Sequence, residues 1–74
     1  MSPEKLVRMA NQIALALEPR GHAEAVTSVA QHINDFWEPR MRKQFFQLLD
    51  QGNAGFRPVV LEAAPAIRRP AEAA

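Results

Sequence analysis

Residues 22–39, His22-Ala23-Glu24-Ala25-Val26-Thr27-Ser28-Val29-Ala30-Gln31-His32-Ile33-Asn34-Asp35-Phe36-Trp37-Glu38-Pro39, decide the fold. His22, Val26, Val29, Ala30, Ile33 and Phe36 recur at the spacing of one helix face, while Glu24, Thr27, Ser28, Gln31 and Asp35 fall on the opposite side. A proline disfavours helical backbone at the residue before it and suits the first turn of a new helix. The pattern therefore stops short of Glu38, turns a tight corner at Trp37-Glu38 and restarts at Pro39.

Upstream, Ser2-Pro3-Glu4 reads as a helix start, with a serine to cap free amides and an acid at the positive end of the helix dipole. Leu6, Met9, Ala10, Ile13, Ala14 and Leu17 then share one face until Pro19-Arg20-Gly21 breaks the pattern. Downstream, Met41, Phe45, Leu48 and Leu49 make a third stripe that ends at Gly52, a residue suited to a left-handed stop. After the loop Gln51-Gly52-Asn53-Ala54-Gly55, Arg57-Pro58 opens a fourth helical signal with Val60, Leu61, Ala64 and Ile67, and Pro65 either kinks or ends it.

The expected fold is all-α: a small three-helix bundle with a short, Pro-interrupted fourth helix. Its helices lie at about 3–17, 22–36, 39–51 and 58–64 or beyond, within a single domain of residues 1–68. Residues 69–74 carry nothing to bury and are expected to form a flexible tail.

Composition narrows the function. The chain has 74 residues and a net charge of +1 with its basic residues dispersed, so strong electrostatic binding to nucleic acid or anionic lipid is not expected. It has no cysteine, which excludes disulfides, thiolate zinc sites, cluster ligation and a thiol nucleophile. No apolar run approaches the roughly 18 residues needed to cross a bilayer. Met1-Ser2-Pro3-Glu4-Lys5 lacks the basic-then-apolar order of a secretion signal, and the expectation is a cytoplasmic protein. His22 and His32 stand ten positions apart with no second histidine at i+3 or i+4, Asp35 three residues after His32 reads as a hydrogen-bond partner rather than a metal ligand, and Ser2, Thr27 and Ser28 have no histidine–acid constellation. The expectation is no catalytic group, cofactor or metal in this chain.

Small chains bury too little surface to be comfortably stable alone, so a protein partner is the expected support. Leu15 points away from Leu6 and Leu17, and Phe46 away from the stripe of its own helix, at about 100° of rotation per residue. With Trp37 they suggest a second apolar surface. Trp37, Arg40 and Arg42 combine side chains in which binding energy concentrates. Arg42 has a local alternative, pairing with Asp35 or Glu38.

Two blocks, Lys5-Leu6-Val7-Arg8-Met9-Ala10-Asn11-Gln12-Ile13-Ala14 and His32-Ile33-Asn34-Asp35-Phe36-Trp37-Glu38-Pro39-Arg40-Met41-Arg42, closely resemble the delta subunit of the bacterial NAD-dependent formate dehydrogenases that contain molybdenum or tungsten. The resemblance covers most of the chain and weakens around Pro65. It implies a cytoplasmic accessory subunit whose companions oxidise formate to carbon dioxide. Those companions hold molybdopterin guanine dinucleotide, iron–sulfur clusters and FMN, and this chain stabilises the assembly or assists its maturation by docking on the large molybdenum subunit. Asn11, Gln12, Leu15, His32, Trp37, Arg40, Arg42 and Phe46 are the expected interface. A free-standing homodimeric helical module that buries Leu15 and Phe46 against its own copy is the competing expectation.

Overall fold

Ser2, Glu38 and Arg57 each precede a proline and each hold extended backbone, with ψ of 149°, 154° and 154°. Proline disfavours the helical region for its predecessor while fixing its own φ for a first turn, although Glu18 and Ala64, before Pro19 and Pro65, stay helical at the start of 3-10 turns. The computed structural model describes residues 2–52 and 55–70, and the regular elements among them are all helical. Helix α1 spans Pro3–Leu17, α2 His22–Phe36, α3 Pro39–Asp50 and α4 Pro58–Ala63. Single 3-10 turns occupy Glu18–Arg20 and Ala64–Ala66. Ser2 caps α1 as expected, its hydroxyl oxygen accepting from the Lys5 amide at 3.2 Å. Pro65 lies in the 3-10 turn, so α4 ends there rather than kinking.

Alanines let the backbones approach. Ala10 and Ala14 of α1, Ala25 and Ala30 of α2 and Ala63 of α4 are all buried, interleaved with Leu6, Val29, Ile33 and Val60. Helix α4 packs chiefly on α2, and α1 meets α2, α3 and α4. One part of the core is aromatic. Phe45 is fully buried and meets Trp37, Phe46 and Phe56 edge to face, with centroids 6.2, 5.2 and 5.0 Å away. Such tilted pairs set the positive edge of one ring against the negative face of another.

Several sequence expectations are corrected here. Trp37 is 5% exposed and Phe46 6%, so both belong to the core rather than to a second apolar surface. Trp37 leaves α2 with extended backbone, φ −86° and ψ 133°, which turns it inward. Phe36, expected inside, is 73% exposed instead. Phe46 is covered because Arg69 returns over it, with its guanidinium carbon 4.3 Å from the ring centre. The flexible tail was expected to begin at Arg69, yet this side chain also lies 3.5 Å from Asp50. Residues 71–74 lie outside the described residues. His22 is exposed too, its Nε2 2.8 Å from Glu62.

Two asparagines fasten the C-terminal segment to the first two helices by the same geometry. The Asn11 carboxamide donates to the Gly55 carbonyl at 2.9 Å and accepts from the Arg57 amide at 2.9 Å. The Asn34 carboxamide donates to the Ala66 carbonyl at 3.0 Å and accepts from the Arg68 amide at 2.8 Å. Each clamp straddles one buried apolar residue, Phe56 in the first case and Ile67 in the second. Arg42 reinforces the second clamp by donating to the Arg68 carbonyl at 2.7 Å and to the Trp37 carbonyl at 3.5 Å.

Ion pairs lie along the same seam. Arg57 grips Glu18 through both carboxylate oxygens, at 2.8 and 3.0 Å. This donation holds the Glu18 carboxyl below its usual range despite some opposing desolvation. Every ion pair among the described residues joins residues 57–69 to an earlier part of the chain. Being solvent-facing, these pairs are weak individually, and the clamps and the buried anchors do more of the holding.

Replacing Asn34 or Asn11 by alanine removes two hydrogen bonds and is expected to cost about 1–2 kcal/mol, read as a lower urea midpoint of the full chain. Asn34→Asp keeps the acceptor but sets a carboxylate against the Ala66 carbonyl, so it is expected to be no better than alanine. Unchanged midpoints in all of these variants contradict the clamps.

Candidate docking face

Polar side chains in this chain work at the surface, because none of the described residues is a buried polar or charged one. No group of three or more His, Asp or Glu among them could hold a metal ion. Thr27 donates its hydroxyl to the Ala23 carbonyl, and His22 is engaged with Glu62. No described helix is long and apolar enough to cross a membrane.

The eight expected interface residues divide sharply. Asn11 and Arg42 are committed to backbone groups of their own chain, and Trp37 and Phe46 to its core. Arg42 bonds within its own chain to the carbonyls of Trp37 and Arg68, and the expected alternative of pairing with Asp35 or Glu38 is not what the structure shows. Gln12, Leu15 and Arg40 are exposed and His32 is half-buried.

His32 stands between two grooves that run along the α1–α2 seam. One, of about 330 Å³, is lined by Met9, Gln12, Ile13, Ala16, His32 and the edge of Trp37. The other, also about 330 Å³, is lined by Leu17, Arg20, Ser28, Gln31, His32, Asp35 and Phe36. The His32 ring leans on Phe36 with centroids 4.8 Å apart and planes 40° from parallel. The result is an exposed aromatic ridge with an apolar trench on one side and a polar one on the other.

Leaving a large aromatic in water forgoes about 1.5–3 kcal/mol of burial, so Phe36 at 73% exposure is the costliest apolar group on the surface. An apolar centre with a polar rim is the anatomy of a protein interface. Sequence periodicity missed Phe36 because it falls on the apolar stripe of α2. Two consecutive aromatics at a helix end give the available signal. When the chain turns after Phe36 and swings Trp37 into the core, its neighbour is left outside.

A third groove, of about 580 Å³, lies between α3 and the C-terminal segment and is lined by Phe46, Leu49, Leu61, Pro65 and Arg69 among others. Arg69 already covers its aromatic floor. Leu61, 43% exposed, is its one large exposed aliphatic, and the α1–α2 face is the stronger candidate.

Over residues 5–64 the chain matches a family model described as NADH-dependent formate dehydrogenase delta subunit, FdsD. Comparison with curated proteins and with solved structures gives no match.

The division between core and face is measurable. Trp37→Ala is expected to cost about 3–5 kcal/mol, the usual range for a buried large aromatic. Phe36→Ser should stay within about 0.5 kcal/mol of the parent, as surface changes do. Denaturant unfolding of the two variants checks this, and equal losses contradict the assignment.

Proposed function

This chain belongs to the NADH-dependent formate dehydrogenase delta-subunit family, and on that footing we propose that it docks through the α1–α2 face as an accessory subunit which carries none of the reaction chemistry. The observation that carries this reading is Phe36, a nearly bare aromatic propped by His32 on a chain whose other aromatics are buried. Its companions are the large molybdenum-containing subunit of formate dehydrogenase and, through it, the flavin and iron–sulfur subunits. Molybdopterin guanine dinucleotide, FMN and the clusters belong to those companions. This chain, without cysteine, supplies no thiolate to a cluster.

The clamps make docking by a preformed body the better mechanism. Asn11, Asn34 and Arg42 fix the C-terminal segment, and no buried side-chain nitrogen or oxygen among the described residues lacks a partner. A body already ordered loses little entropy on association, so burial of Phe36, Met9 and Ile13 converts efficiently into affinity. The role is to hold the assembly together in the cytoplasm during or after maturation of the large subunit. A homodimer built on Leu15 and Phe46 loses one of its two anchors, because Phe46 is in the core.

Phe36→Asp in a tagged chain, expressed with its companion subunits, is expected to lower their recovery at least tenfold while the circular dichroism of the purified chain stays unchanged. Leu61→Asp, on the far groove, should leave recovery intact. Full recovery with Phe36→Asp contradicts the docking face.

A further inference from the structure

On α1, one turn before Met9 and Gln12 of the apolar trench, stand Lys5 and Arg8, which with Arg40 of α3 have no ion-pair partner among the described residues. Lys5, Met9, Gln12 and Ala16 are spaced i, i+4, i+7 and i+11, so Lys5 continues the stripe that lines the trench. Arg8 lies one turn before Gln12 and two turns before Leu15, on the adjoining exposed strip. Arg40 stands three residues beyond Trp37, in the first turn of α3. Lys5, Arg8 and Arg40 are all exposed. Arg57 and Arg69 of the C-terminal segment, by contrast, are both matched with acids.

Lys5 and Arg8, three apart on one helix, repel each other, a small cost that Glu4, four residues before Arg8, offsets in part and an opposing anion removes. The acids nearest in sequence are Glu4 and Glu38, each beside the proline that opens a helix, where free amides already favour negative charge. Asp35 belongs to the other groove.

Resting on the docking reading above, we infer that the surface covering this face is acidic: a companion-protein segment whose aliphatic side chains enter the Met9–Ile13–Ala16 trench while its carboxylates lie over Lys5, Arg8 and Arg40. Phe36 supplies the residence time of the complex. The cationic bank steers the encounter and sets its orientation.

The test measures association of the purified full chain with formate dehydrogenase prepared from cells lacking this chain. The association rate is expected to fall about tenfold or more between ~50 and ~500 mM salt, as screening shortens the reach of the charges. The variant Lys5→Glu/Arg8→Glu/Arg40→Glu should associate about tenfold more slowly at low salt and show a flattened salt dependence. Lys5 and Arg40 lie in first helical turns, where an acid is favoured, so reversal does not undermine the helices.

Salt-independent association of the parent chain, or a reversed variant that binds as fast as the parent, overturns the acidic partner. If Phe36→Asp still abolishes association in that case, the docking face stands and only its charge complement is refuted. If Phe36→Asp also binds normally, the docking reading itself fails. A stable dimer of the chain alone that dissociates on Phe36→Asp makes a second copy the occupant and overturns the inference.

Discussion

Two side-chain amides hold this protein closed. Asn11 and Asn34 each present a donor and an acceptor to an extended piece of backbone, as the edge of a β-strand would, and each seats one apolar residue in the core. The constraint comes from size. A chain of 74 residues must cover the aromatic part of its core with the segment beyond α3, and the helix in that segment has only six residues. A helix so short does not persist by its own hydrogen bonds. Phe56 and Ile67 are its anchors, and the carboxamides fix their depth and register.

The burial of Phe46, the seating of Arg42 and the shape of the outer grooves all depend on that closure. With the C-terminal segment in place, α2 packs against both α4 and α1. The seam between α1 and α2 is left facing solvent, and there His32 and Phe36 form the ridge. The face proposed for docking and the segment that closes the core are therefore different parts of the molecule.

Much of the architecture was legible in the sequence because its causes are local. Pro3, Pro39 and Pro58 mark helix starts through steric exclusion at the preceding residue, and the stripes of α1 to α3 arise from the helical repeat. The clamps were not legible. Asn11 bonds to residues more than forty positions away, and no local pattern encodes that pairing. Trp37 and Arg42 read as interface residues because tryptophan and arginine concentrate binding energy, yet a small core uses the same properties of area and multiple donors to close itself. Phe46 lies off its stripe because the returning chain, not a partner, covers that side of α3. Of the two sequence blocks that resemble the delta subunits, Asn11, Asn34, Trp37 and Arg42 serve the fold, and Gln12, His32, Phe36 and Arg40 are left on or near the surface.

Hydroxyl-radical footprinting of the side chains, with this subunit free and then within the assembled formate dehydrogenase, is the most direct test of the docking face. Phe36, Met9 and Ile13 should be oxidised readily in the free chain and protected in the complex, while Leu61 reacts equally in both. Protection of Leu61 with Phe36 still open to oxidation in the complex would contradict the account.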